Sequence, residues 1–478
     1  MKPNILLIVM DSVRAHNLSL YGHEHDTTPF LREFSDRATV YTQARAPGTF
    51  SLTSHASMFT GHHVVEHRVP SRKYGLEPGH TIWDELRNEY GYETGVFSQN
   101  TFITDEAFGL ASGFETRNNG PPLPDDLPFP EALDFRGISG GNYAGSFRKA
   151  VTSNHPVRSL LNGVATVVPS QYLPDGAKAR RGNTADVYTD YFLDWHDDRD
   201  QQWAACLNFM DAHARYLPKA KHDKWGNEWV RQKARQYDSW TCYTDTEAWS
   251  EVAALEAMYD GAIHQVDAQL ERLLTELENR GNLDETLVVI TSDHGETFGE
   301  QSLVRPGVRL TTHGIGIHET LLHVPLVTKH PNQTEGAVIE DLSTLTAFPA
   351  AVRSAVEGEG DRERFCPDGP VLATSTNIDY KDKRELKEIG INDFEKFEDW
   401  AHAIYTKVDN SIQKHATWGD DAATISLPDG FWPFKLSSRG DDRVNRFLEM
   451  FEDAGLCIDL DGDVDDETVQ QLQDLGYF

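Results

Sequence analysis

The segment Thr291-Ser292-Asp293-His294-Gly295-Glu296 constrains this chain more than any other. It follows Leu287-Val288-Val289-Ile290, a short apolar run that reads as a buried strand. A carboxylate and an imidazole therefore stand where a strand ends and the chain turns at Gly295. In open α/β sheets, ligands bind outside the carboxyl ends of strands, so an Asp-His pair there points to a metal. The start of the chain supplies a matching half. Asn4-Ile5-Leu6-Leu7-Ile8-Val9-Met10 is a second apolar run, and it ends in Asp11. A single Asp after a strand is usually a cap or turn residue. Two such strands, far apart in sequence, would bring Asp11, Asp293 and His294 together if they lie side by side in one parallel sheet.

With 478 residues the chain can bury a large core and has room for more than one domain. Its 76 acidic residues outweigh 44 basic ones and give a formal charge of −32. That balance argues against nucleic acid, whose phosphates need basic patches, and equally against anionic membrane surfaces. The acidity is spread along the chain with Arg favoured over Lys, a pattern of adaptation to high salt; an ordinarily acidic protein is the alternative. The four cysteines, Cys206, Cys242, Cys366 and Cys457, form no Cys-x-x-Cys pair, so neither a zinc knuckle nor a dithiol redox site is indicated. The first apolar run is too short for a leader and flows directly into Asp11, and no run is long enough to span a bilayer. The expectation is a soluble, cytoplasmic protein.

Residues 1–110 alternate strand-like and helix-like segments, which favours a mostly parallel α/β sheet. After a turn through Tyr21-Gly22, Thr28 and Pro29 open a helix as N-cap and first residue. Thr94-Gly95-Val96-Phe97-Ser98 reads as a strand, as does Trp203-Ala204-Ala205-Cys206-Leu207-Asn208-Phe209-Met210, which ends in Asp211-Ala212-His213. Val252, Leu255, Met258, Tyr259, Ile263, Val266, Leu270, Leu273, Leu274 and Leu277 recur at helical spacing before Gly281, and this helix is read as core packing without chemistry. An α/β domain is thus expected over 1–335. It is interrupted over 118–182 by a Pro- and Gly-rich insertion with a basic cluster at Lys178, Arg180 and Arg181. A smaller α+β portion follows over 336–478.

Pro47-Gly48-Thr49-Phe50-Ser51-Leu52-Thr53-Ser54-His55 looks like a turn entering a short helix, with Ser54 as its N-cap. A helix start favours a bound anion such as phosphate or sulfate, although a serine there is more often a plain cap.

Taken together, these segments resemble the sulfatase family of the alkaline phosphatase superfamily, with the acidic balance of a haloarchaeal-type member. The run from Pro3 to Asp11 is similar to the family's first strand and metal carboxylate. Ala56-Ser57-Met58-Phe59-Thr60-Gly61 resembles the helix behind its nucleophile, and Thr291-Ser292-Asp293-His294-Gly295-Glu296 its second metal motif. His313-Gly314, His318-Glu319 and Val324-Pro325-Leu326 resemble a later block, and Leu472-Gln473-Asp474-Leu475-Gly476-Tyr477 is similar to the close of many members.

The resemblance implies an alkaline-phosphatase-like core: a mostly parallel central sheet flanked by helices. It implies Asp11, Asp293 and His294 as ligands of one divalent ion, calcium being usual, with the histidine leaving magnesium, manganese or zinc open. Ser51 falls at the nucleophile position. His55 and His313 would donate hydrogen bonds to the transferred group, His213 would meet the leaving oxygen, and Asn100 would line the pocket. His16, His62, His63 and His67 are read as structural or surface residues. The implied activity is hydrolysis of a small-molecule or glycan sulfate ester.

Two departures stand out. Ser12 occupies a position where many members carry a second acid. Ser51-Leu52-Thr53-Ser54-His55 replaces the Cys/Ser-x-Pro/Ala-x-Arg in which the family makes formylglycine. An unmodified serine would form a covalent ester that water must then cleave, which keeps open a phosphomonoesterase, phosphodiesterase or phosphotransferase. A third reading is a catalytically silent member that binds an anionic glycan.

Overall fold

The computed structural model describes residues 2–118, 185–237, 243, 248–377, 380–388, 390–409, 411–428, 430, 433–438 and 442–460. The insertion expected over 118–182 lies outside these residues apart from Asn118, as do Cys242 and the closing motif at 472–477.

The strands in chain order are β1 (Asn4–Met10), β2 (Thr39–Arg45), β3 (Tyr74–Leu76), β4 (Glu93–Ser98), β5 (Thr116–Asn118), β6 (Trp203–Phe209), β7 (Thr286–Thr291), β8 (Thr297–Gln301), β9 (Arg309–Thr312), β10 (Leu326–Lys329) and β11 (Ala337–Thr344). Beyond them come β12 (Val371–Ser375), β13 (Ala401–Val408), β14 (Ser411–Trp418), β15 (Asp421–Leu427), β16 (Phe434–Ser437) and β17 (Cys457–Asp459). Eight of these form one sheet in the order β11-β2-β10-β7-β1-β6-β4-β5. All of its neighbours run parallel except β10, which is antiparallel to both β7 and β2. This is the expected α/β architecture.

The central strands β1, β6 and β7 are buried at every residue, as a parallel sheet covered on both faces requires. The two-residue strand period sorts their side chains into two cores. Ile5, Leu7 and Val9 pack with Leu52, Ala56, Met58 and Phe59 of α2 (Ser51–Thr60) on one face. Leu6, Ile8 and Met10 meet Ile263, Val266, Leu270 and Leu274 on the other. These last four belong to the long helix Glu256–Asn279, which meets the helix Ala248–Ala254 at Leu255. There the Leu255 N–H is shared between the Glu251 and Val252 carbonyls. Gly281, with φ of +76°, lets the chain leave the long helix, and Asn282 N–H closes back on Leu277 O.

The large sheet takes β11 from beyond residue 335, and a separate antiparallel sheet, β12-β13-β14-β15-β16, follows it. Cys206 is fully buried within β6, and Cys366 and Cys457 are half-buried thiols. Among the described residues, no helix is long and apolar enough to cross a membrane.

The two sheets are tied by a buried ionic cluster. Glu319, on the short helix Glu319–Leu322, accepts from Lys414 Nζ of β14 at 2.6 Å and from Tyr405 OH of β13 at 2.7 Å. Arg45 Nε, at the end of β2, lies 3.2 Å from its other oxygen. Burial alone would push the Glu319 carboxyl up. Lys414 and Arg45 overcome it and hold the group at about 2, against an ordinary 4.5.

Breaking a buried pair by removing one partner typically costs about 3–5 kcal/mol, because the other charge stays buried. Glu319→Gln should lose stability of that order by urea unfolding. The folded carboxyl is depressed, so its contribution is complete above pH 4.5 and fades as pH falls toward 2. That acid-dependent component should be missing from the variant.

Candidate active site

Parallel pairing sets the site. Val9 of β1 stands beside Thr291 of β7, Met10 beside Phe209 of β6, and Ser98 of β4 beside Asn208 of β6. The carboxyl ends of β1, β4, β6 and β7 therefore open on one edge of the sheet. Asp11, Asp293 and His294 meet there, fully buried, with ligand atoms within 4.8 Å of one another.

Local backbone makes the convergence possible. A Cβ on Gly295 would sit 1.9 Å from the Thr320 carbonyl oxygen, so only glycine lets the chain after His294 turn against Thr320 and Leu321. Ser12 adopts φ of +62°, a left-handed conformation costing a β-carbon-bearing residue on the order of 1–3 kcal/mol. In return its N–H donates to Asp293 Oδ1 at 3.2 Å and its hydroxyl to Asp11 Oδ1 at 3.0 Å. Tyr259 OH donates to Ser12 O at 2.7 Å and accepts from Arg14 N at 2.9 Å.

The protein arranges donors around both carboxylates. Asn100 Nδ2 and Asn208 Nδ2 each donate to Asp11 Oδ2 at 3.1 Å. Asp293 Oδ2 is buried without a hydrogen-bond donor and lies 3.4 Å from His294 Nε2 and 3.6 Å from His55 Nδ1. Burial pushes the Asp293 carboxyl up; His294 and His55 outweigh it and hold the group below the ordinary range. For His294 burial pulls the imidazole down, and Asp293 and Asp11 more than restore it. His294 Nδ1 donates to Gly295 O at 2.9 Å, which in the neutral ring leaves Nε2 as the bare nitrogen facing the carboxylates. A donor set of two carboxylates and one imidazole, with an undonated carboxylate oxygen and an aimed Nε2, fits a divalent cation.

Ser51 opens α2 rather than preceding it. The helix starts three residues earlier than the N-cap expected at Ser54, with Phe50 in the cap position. The reason is a competing partner: Ser54 Oγ donates to Asp293 O at 2.5 Å instead of capping its own helix. Ser51 Oγ thus stands at the helix N-terminus, 3.5 Å from Asp11 Oδ2 and 3.2 Å from His294 Nε2.

Two of the anticipated pocket residues have partners within the protein. His55, fully buried, donates from Nδ1 to Ser51 O at 2.8 Å and braces Ser51 and Asp293. Asn100, also fully buried, spends Nδ2 on Asp11 and Oδ1 on Phe102 N at 3.1 Å, so it positions Asp11. His213 and His313 do gather at the cluster. The His313 ring centre lies 4.4 Å from that of His294 and 4.9 Å from that of His213. His213 donates from Nδ1 to Ala214 O at 3.0 Å, and its Nε2 is buried.

Sequence reasoning gave no role to Asn208, Tyr259 or Glu296. The polar Asn208 inside an apolar strand was a usable signal, since a buried amide needs partners. Glu296 lay in plain view in the motif. It is fully buried, 3.3 Å from His313 Nδ1, and burial lifts its carboxyl to about 7. Tyr259 carried none, because its spacing marks only a packed helix.

The sequence profile of the sulfatase family matches residues 3–355, about three quarters of the chain. The chain belongs to the sulfatase family. It is similar to arylsulfatase K of Bos taurus, with 23% identity over 363 residues, 73% of this chain and 61% of the relative. It is also similar to arylsulfatase A of Homo sapiens, at 24% identity over 373 residues, covering 73% and 64%. It thus spans less than two thirds of the length of these sulfatases. Among solved structures it is similar to the phosphonate monoester hydrolase of Agrobacterium radiobacter, with a TM-score of 0.57 over 89% of each chain. At 17% identity that likeness shows the shared fold.

Partners of metal ligands typically change affinity 10–100-fold when removed. Asn208→Ala, which takes one amide from Asp11, should weaken divalent-ion binding by that order in equilibrium dialysis, with overall secondary structure kept.

Proposed function

We propose that this member of the sulfatase family is a metal-dependent hydrolase of sulfate esters with Ser51 at the point of attack. The observation that carries the reading is the placement of Ser51 Oγ, at a helix N-terminus and within 3.5 Å of both Asp11 Oδ2 and His294 Nε2. A divalent cation held by Asp11, Asp293 and His294 would lower the pKa of a hydroxyl beside it and neutralise charge on the transferred group.

The chain's own groups supply the remainder. Ser51 Oγ releases its proton to water and attacks sulfur in line, and the bond from sulfur to the alcohol oxygen breaks. His213, through Nε2, hands a proton to the departing oxygen. His313, held by Glu296, donates to an oxygen of the sulfuryl group as charge shifts onto it. His55 keeps Ser51 in register. Water then gives one proton to the now neutral His213 and attacks the same sulfur from the side opposite Ser51 Oγ; the sulfur–Ser51 bond breaks, sulfate leaves, and the serine oxygen takes a proton back from water.

A second reading is phosphoryl transfer by an unmodified Ser51. Thr53 and His55, where the family's modified motif has Pro/Ala and Arg, favour it, because a plain serine has one hydroxyl and cannot expel the group as a hydrated aldehyde does. Mass spectrometry of the peptide containing Ser51 separates serine from formylglycine. Turnover of aryl sulfates against phosphate mono- and diesters decides the ester; diesterase activity without sulfatase activity would overturn the leading reading. Under either, Ser51→Ala should lower kcat by on the order of 10⁴–10⁶-fold, as loss of a nucleophile does. Unchanged turnover would instead support a silent, glycan-binding member.

We also propose that the −32 charge suits this chain to high salt. Salt shortens the range of self-repulsion among surface carboxylates. The thermal midpoint should rise steadily as KCl is raised toward molar concentration.

A further inference from the structure

A second group of metal-ligating side chains lies outside the active site. It is built from the turn after the first strand and the first turns of the helix Glu256–Asn279. Gly22, with φ of +93°, closes the short helical turn Ser19–Tyr21, and the chain bends at Glu24 and His25 beyond it. That bend brings His23 and His25 to the same side of the segment, toward the helix Glu256–Asn279. Both rings reach one oxygen of Asp260. His23 Nε2 lies 3.0 Å from Oδ2 and His25 Nδ1 lies 2.6 Å from it. The two ring planes stand at 89°, so the nitrogens approach from separate directions.

The site is held in shape from outside. Asn17 Nδ2 donates to Asp260 Oδ1 at 2.6 Å, which fixes the carboxylate and leaves Oδ2 to the histidines. The His25 ring is stacked on Trp225, with centres 4.8 Å apart and planes at 14°. Asp260 is almost wholly buried, His23 is a tenth exposed and His25 about a third. The trio is therefore anchored on the protein side and open on the other, where water or an outside group can complete a coordination shell.

We propose that His23, His25 and Asp260 form a second divalent-ion site, suited to zinc, that fastens the segment after Gly22 to the helix Glu256–Asn279. The donor chemistry separates it from the first cluster. Two imidazoles and one carboxylate favour a borderline ion such as Zn2+ or Co2+, whereas two carboxylates and one imidazole tolerate harder ions. Zinc bonds of about 2.0–2.2 Å would need the two nitrogens to spread only slightly from Oδ2. The site also reaches the catalytic end of the sheet. Asp260 follows Tyr259, whose hydroxyl braces Ser12 and Arg14. An ion here would stiffen the helix turn from which that brace projects.

The test uses the full chain and three readouts. Equilibrium dialysis against Zn2+ with metal analysis should give one equivalent more for the wild type than for the double variant His23→Gln, His25→Gln. Asp293→Asn, which removes a ligand of the first cluster, should keep the second-site equivalent and its Zn2+-induced rise in thermal midpoint. In the wild type, Zn2+ should cut diethyl pyrocarbonate labelling of His23 and His25 at least ten-fold, read by peptide mass spectrometry. Equal Zn2+ equivalents in wild type and double variant would overturn the proposal. So would unchanged labelling of both histidines under saturating Zn2+, a measurement that needs no variant to fold.

Discussion

Two carboxylates, Asp11 and Asp293, are fully buried within reach of each other, and much of the structure is organised around keeping them there. A buried ionised carboxylate is costly unless it is paired or coordinates a metal, and two together repel. The chain meets this demand with directed donors, the Ser12 N–H and hydroxyl and the Asn100 and Asn208 amides, and with the imidazoles of His55 and His294 set beside Asp293 Oδ2. One oxygen, Asp293 Oδ2, is left without a hydrogen-bond donor, and that is the atom a cation would take.

From that demand follow the less regular features nearby. The left-handed backbone at Ser12 aims an N–H and a hydroxyl at two different carboxylates, which an ordinary strand exit could not do. The serine that replaces the family's second acid is thus a donor to Asp11 rather than a further ligand. Helix α2 begins early because Ser54 is claimed by Asp293 O, and this puts Ser51, not Ser54, at the helix start. The second sheet adds a distant constraint. Glu319, clamped by Lys414, Arg45 and Tyr405, follows directly on the segment that carries His313.

Four histidines crowd this site. His55, His213, His294 and His313 gather at the cluster, and the first three each commit Nδ1–H to a backbone carbonyl close by in the chain. Family membership follows from the match across residues 3–355. The choice between sulfur and phosphorus turns on whether Ser51 is modified, a covalent matter that neither strand order nor packing decides.

The strands that build the site were legible in the sequence because their signal is local. Mostly apolar runs ending in Asp11, before Asp293 and before His213 can be read within a short window, and the parallel sheet then forces their ends together. The partners of the residues behind the site were not legible, even where Asn100 had been singled out and Asn208 stood out as polar. Asn100 and Asn208 serve Asp11 across 89 and 197 residues, and Tyr259 meets Ser12 across 247. His23 and His25 meet Asp260 across 237 and 235. Such contacts depend on strand register, helix rotation and rotamer, which only the packed tertiary structure sets. The sequence by itself determined which strands end in candidate ligands; the folded chain decided which side chains hold those groups in place.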